Sequence, residues 1–166
     1  EYLIEKYNYS VVSIGQVLRD ARDENTEIGR IIIETQDKGI LTPDNIVGEA
    51  LKNELQKYVD QPVVIEGYPR NIEQAKLLDT IFNDYIVINL DVSKCPKQEN
   101  ICDVCGSKLG NRSDDNEKSF DVRFNVYETN SKDILDYYNK KDILYIVDAS
   151  KDKDYTNLQV SDILGE

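Results

Sequence analysis

Two short runs near the middle of the chain, Val63-Val64-Ile65-Glu66-Gly67-Tyr68 and Tyr85-Ile86-Val87-Ile88-Asn89-Leu90, are almost continuously apolar. Strands buried on both faces of a parallel sheet read this way, because neither face meets water. Between them Ile72, Ala75, Leu78 and Phe82 recur at helical spacing. Asn71 stands where it can cap that helix, with Gln74 three residues on. Strand, helix and strand make a short βαβ crossover. A third apolar run, Ile143-Leu144-Tyr145-Ile146-Val147, follows a long helical pattern through Phe120, Phe124, Tyr127, Ile134 and Tyr138. A weaker strand, Val11-Val12, follows a helix end at Leu3 to Tyr7. Strands alternating with helices predict an α/β fold with a doubly wound parallel sheet.

Two stretches break the alternation. From Ser13 to Val59 three helical segments follow one another, with starts at Ser13, Thr26 and Thr42, the last with Pro43 in the first helical position. From Cys95 to Gly110 there is no periodicity, and Pro96, Gly106 and Gly110 punctuate the run. Both read as insertions. Residues 13–59 form a helical flap and 95–113 a compact loop, while 1–12, 60–94 and 114–166 form the core domain.

Composition then excludes several roles. The chain of 166 residues carries a net charge of −12, which disfavours a nucleic-acid polymer as partner, since a duplex is gripped by Lys and Arg. An anionic ligand must instead meet a few converging basic side chains against an adverse field. No apolar stretch reaches the length of a membrane span. Two of the three cysteines lie as Cys102-x-x-Cys105, a spacing of metal or redox pairs in reducing compartments.

Four separated stretches, in order, resemble the adenylate kinase family. Ser13-Ile14-Gly15-Gln16-Val17-Leu18-Arg19 looks like the opening of its AMP-binding flap, and Gly39-Ile40-Leu41-Thr42-Pro43-Asp44 like the closing turn. Glu66-Gly67-Tyr68-Pro69-Arg70 with Gln74 and Ala75 is similar to its acid-Gly-aromatic-Pro-Arg signature. Asn111-Arg112-Ser113-Asp114-Asp115, with Arg123 and Tyr127, resembles the end of the lid and the helix behind it. The resemblance implies a P-loop NTPase-like fold and reversible transfer of a phosphoryl group from ATP to AMP. It further implies magnesium as cofactor, no membrane or nucleic-acid partner, a monomer, and a place in the cytoplasm. Two alternatives stand beside it: a nucleotide-binding relative without turnover, and a kinase for UMP or CMP.

The same resemblance assigns roles. Arg19 and Arg70 hold the AMP phosphate, with Ser13, Thr42 and Gly67 around the nucleotide and Gln74 reading adenine. A guanidinium on a stiff turn at a strand's carboxyl end suits that task, because it meets phosphate oxygens bidentately. Gln74 has a plainer use as well, as third residue of a capping box with Asn71. Arg112 and Arg123 meet the transferred phosphoryl group, Glu66 a magnesium-bound water, and Lys151 the turn that lines the ATP adenine. Arg112 and Arg123 could otherwise pair with Asp114, Asp115 or Asp121 on a helix surface.

Departures from the family pattern are also visible. Ile14 replaces a Thr and Gln16 an Asp. Glu66 stands where Asp is usual. Cys102 and Cys105 look like the second half of a lid zinc knuckle, with Cys95 as a third ligand or others outside the chain given. No Gly-x-x-x-x-Gly-Lys-Ser/Thr loop occurs, and the resemblance puts one just upstream of Glu1. It also predicts that Lys94 and Cys95 are not neighbours in the full polypeptide, because a helix, two arginines and half a knuckle belong between them.

Overall fold

The computed structural model describes residues 2–24, 26–37, 42–91 and 117–165, and for 36, 37, 117–126 and 128 the backbone alone. These residues divide into two compact units, one of Glu1–Asp84 with Arg123–Ile134 and one of Tyr85–Val122 with Leu135–Glu166. Each unit is built on one pair of parallel strands, as an α/β fold requires.

In the first unit α1 (Tyr2–Tyr7) leads into β1 (Ser10–Ser13), and β1 pairs in parallel with β2 (Val63–Glu66). The register runs from Ser10↔Val63 to Ser13↔Glu66, so both strands end level. Asn8 and Asp60 sit ahead of the two strands at φ 56° and 61°. Asn and Asp are the side chains that best tolerate this left-handed turn. Between the strands lie α2 (Ile14–Asp23), α3 (Glu27–Asp37), α4 (Asp44–Leu55) and a 3-10 turn at Gln56–Tyr58; α5 (Ile72–Ile81) follows β2. Helix α2 packs on α3 and α4, and α4 also packs on α5. Their apolar faces supply the core: Ile14, Ile32, Ile46, Val47, Ala50, Leu51, Ala75 and Leu78 are all buried.

The second unit pairs β3 (Val87–Asp91) with β4 (Leu144–Asp148), again parallel and from Val87↔Leu144 to Asp91↔Asp148. Helix α6 (Glu117–Lys140) delivers the chain to β4. Tyr138 near its end is fully buried, edge-on to Tyr85 and Tyr137 at centroid distances of 6.1 and 5.3 Å. Such edge-to-face pairs add to burial because ring edges are positive and faces negative. Helix α7 (Lys153–Leu164) packs back on β4.

Several boundaries differ from the sequence expectation. Strand β2 stops at Glu66, and Gly67 and Tyr68 leave the ladder. Helix α4 begins at Asp44 with Pro43 as its N-cap, one residue later than expected, and Thr42 lies ahead of the cap. Ser13 is the N-cap of α2, but its side chain makes no capping bond. Helix α7 and the 3-10 turn were not anticipated. The signals for α7 were there: Asp152 accepts the Tyr155 N–H at 2.9 Å, and Gly165 closes the helix at φ 75°. No helix among the described residues is long and apolar enough to cross a membrane.

Candidate functional site

The level ends of β1 and β2 put the residues that follow them side by side. Gly67 takes φ 76°, a conformation that L side chains rarely adopt. A Cβ there would stand 3.1 Å from Cγ2 of Ile14 and 3.4 Å from Nη2 of Arg70. Ile14, only 2% exposed, thus packs directly against the turn. That is what the apolar residue does where the family has a Thr. A Cβ on Gly15 would likewise stand 3.4 Å from Nη1 of Arg19. Gly15, in the first turn of α2, and Gly67, just past β2, thus each have an arginine end close by.

Both arginines are oriented from behind. Arg70 Nε donates to the Gly67 carbonyl at 2.9 Å, and its backbone N–H donates to Gln74 Oε1 at 2.7 Å. Between Gly67 and Arg70 the Tyr68–Pro69 peptide bond is cis. Arg19 donates through Nε and Nη2 to Gln16 Oε1 at 3.2 and 2.8 Å, and Gln16 Nε2 donates to Asp20 Oδ1 at 2.6 Å. Gln16, one of the departures, is thus the residue that aims Arg19. Ser13 faces Glu66 at the ends of the two strands, Gly67 follows at once against Ile14 and Arg70, and Arg19 lies on the helix that leaves β1.

Gln74 is buried, with 6% of its surface exposed. The capping expectation is half met: Asn71 Oδ1 accepts the Gln74 N–H at 2.8 Å, but Gln74 Oε1 reaches past Asn71 to Arg70. Its Nε2 donates to Asp44 Oδ1 at 2.6 Å, and Asn71 Nδ2 donates to Asp44 Oδ2 at 2.9 Å. Asp44 is a member of the site that sequence reasoning missed. As the first residue of α4 it looks like an ordinary acid at a helix N-terminus. Thr42 lies two residues earlier. The Thr35 hydroxyl lies within hydrogen-bond distance of the Ile31 and Ile32 carbonyls at 2.9 and 3.0 Å and of the Thr42 hydroxyl at 3.4 Å.

Glu66 is exposed at the end of β2, opposite Ser13 in the register. In the second unit the corresponding strand end is tightly tied. Asp148 Oδ1 accepts from the N–H and hydroxyl of Ser150 at 3.0 and 2.5 Å. Gln159 clamps the Asp148 backbone from both sides, at 3.1 and 3.0 Å. Lys151 places its amine over the Tyr155 ring, 3.9 Å from the centroid, so its side chain is engaged in a cation–π contact. Arg123 lies on α6 with only its backbone described. Arg112, Cys102, Cys105 and the Lys94–Cys95 junction fall outside the described residues. Among the described residues no group of three or more His, Cys, Asp or Glu could hold a metal ion.

The α/β fold thus carries Arg19 on the helix after β1 and Arg70 on the turn after β2, each held by a neighbouring acceptor. The family model for adenylate kinase matches residues 1–143. The adenylate kinase of Archaeoglobus fulgidus is 35% identical, over 89% of this chain and 82% of its own. That of Caldanaerobacter subterraneus subsp. tengcongensis is 33% identical, over 92% and 83%. That of Methanosarcina barkeri is 30% identical, over 98% and 89%. The chain belongs to the adenylate kinase family, and with it to the phosphotransferases. The Methanosarcina match runs over 192 aligned positions, more than the 166 residues here. That relative therefore carries internal residues without a counterpart in this chain.

Proposed function

We propose that the protein transfers the terminal phosphoryl group of ATP to AMP and runs the reverse reaction from two ADP. The observation that supports this reading is Arg70 held on the turn after β2 by the Gly67 carbonyl and Gln74, with Arg19 held by Gln16 on the helix after β1. In the transfer an AMP phosphate oxygen attacks the γ-phosphorus and the bond to the β–γ bridging oxygen breaks. The electron pair leaves with ADP, and no further reactant is needed. Little covalent chemistry falls to the protein, so positioning and cations on the developing charge carry the rate. Arg19 and Arg70 hold the acceptor phosphate, with Ser13, Thr42 and Gly67 lining the nucleotide. Arg112 and Arg123 neutralise the group in flight, and the turn at Lys151 lines the ATP adenine through its backbone. Glu66, an exposed acceptor-only group at the strand end, fits the water shell of magnesium, which supplies charge neutralisation when bound. Closure of the flap, residues 13–59, over AMP would keep water from competing as acceptor.

A UMP or CMP kinase is the second reading, and Ile14 favours it. Buried against Gly67, Ile14 offers the nucleotide no hydroxyl. A coupled assay on the full polypeptide, with AMP, UMP, CMP and GMP as acceptors, decides. AMP is expected to lead in kcat/KM by at least about tenfold, as a site built to pair with a base edge rejects edges that leave it unpaired. A lead for UMP or CMP would overturn the AMP reading.

The lid cysteines add a second, independent expectation. With Cys102 and Cys105 as two of the four tetrahedral ligands of structural zinc, and Cys95 or residues outside the chain given as the others, the purified protein should carry about one zinc per chain. Elemental analysis without added metal reads this directly, and a content below about 0.2 per chain removes the zinc assignment.

A further inference from the structure

We infer that Asp44 is a positioning residue: it fixes which way round Gln74 presents its carboxamide, and so makes the site choose between nucleobase edges of the same shape but opposite hydrogen-bond order. The inference rests on Gln74 as the base reader. A carboxamide has an oxygen and an NH2 of nearly equal size, and turning it over exchanges acceptor for donor. Left to itself, such a reader serves either order. Here both ends are committed. Asp44 Oδ1 can only accept, and takes Nε2 at 2.6 Å, a short charge-assisted bond. The Arg70 backbone N–H can only donate, and takes Oε1 at 2.7 Å. Turning the amide over would set oxygen against carboxylate and NH2 against N–H, in a side chain with 6% of its surface exposed.

Asp44 is itself held in place. Asn71 Nδ2 donates to its second oxygen at 2.9 Å, while Asn71 Oδ1 caps α5 through the Gln74 N–H. Asp44, Asn71 and Gln74 close a ring that joins the starts of α4 and α5. The second lone pair on Oε1 and the second N–H on Nε2 then meet the base in one order only. Adenine offers a donor at N6 and an acceptor at N1. Hypoxanthine has the same outline with an acceptor at O6 and a donor at N1. IMP is therefore the probe that reads the orientation of Gln74 and little else.

The experiment measures kcat and KM for AMP and for IMP with the full-length wild type and three variants. Asp44→Asn keeps the size of the side chain and can present either oxygen or NH2 to Gln74. Its KM for AMP is expected to rise on the order of tenfold, the effect of one charge-assisted hydrogen bond, with kcat nearly unchanged. The AMP-over-IMP preference should fall by a similar factor. Asn71→Ser keeps an N-cap but releases the second Asp44 oxygen, so a smaller fall of the same preference is expected. Gln74→Leu should abolish the preference. If Gln74→Leu leaves it intact, the reading of Gln74 fails and the inference with it. If Gln74→Leu abolishes it while Asp44→Asn and Asn71→Ser do not lower it, Asp44 is a structural tie only and the inference alone is overturned. Should Asp44→Asn not fold, Asn71→Ser decides by the same criterion.

Discussion

Arg70→Ala is expected to raise the dissociation constant of AMP by about 10- to 150-fold, the equivalent of roughly 1.5–3 kcal/mol for a hydrogen bond to a charged group. The size of the effect follows from how much of the arginine is organised in advance. Nε is spent on the Gly67 carbonyl at 2.9 Å, which sets the plane of the guanidinium. The chain leading to it is stiffened by Pro69 and by the Gln74 bond to the Arg70 N–H. A pre-organised fork loses little freedom when it meets a phosphate, so most of its interaction appears as affinity. Arg70→Lys retains the charge but neither the fork nor the Nε bond, and should fall between wild type and alanine. Calorimetric titration of AMP into the three proteins measures the series. Equal affinities for wild type and Arg70→Ala would remove Arg70 from the phosphate site.

Much of this arrangement was legible because it is local. The β2–α5 turn is written in consecutive residues: a glycine that can take φ 76°, a proline, an arginine, and an asparagine cap. Three strands were visible as apolar runs and β1 more weakly as Val11-Val12, but the expected burial on both faces is not met, since Leu90 is 54% and Ile146 65% exposed. Helix α7 was not, because it buries only Val160 and Ser161 and leaves Leu158 60% exposed. Too thin a stripe gives no period to read. The start of α4 was misplaced by one residue for a different reason. Proline suits the first helical position, but here it precedes the helix and leaves that position to Asp44. The role of Asp44 itself lies 30 residues from Gln74, in a contact that no local pattern specifies. The same holds for Ile14 against Gly67: a substitution read as a lost hydroxyl turns out to be a packing contact across two strand ends.

Leu51→Ala is expected to cost the fold about 2–5 kcal/mol, the range for emptying a fully buried leucine site in a close-packed core. Leu51 has no exposed surface, and it sits in α4, which packs on both α2 and α5. Surroundings that relax only partially leave a cavity, and the cost grows with its volume. For a chain of this length each kcal/mol moves the midpoint by about 2–4 °C, and a fall on the order of 10 °C follows. Urea unfolding of wild type and variant reads the loss directly, and an unchanged denaturant slope would show that the same cooperative unit unfolds in both. The variant also separates stability from recognition. Leu51 lies seven residues beyond Asp44 in α4, about 10 Å along the axis at 1.5 Å per residue. The folded protein should therefore keep its AMP-over-IMP preference although it melts earlier. A destabilisation below about 1 kcal/mol would mean that the helices around Leu51 relax into the space, and that α4 holds its place without this side chain.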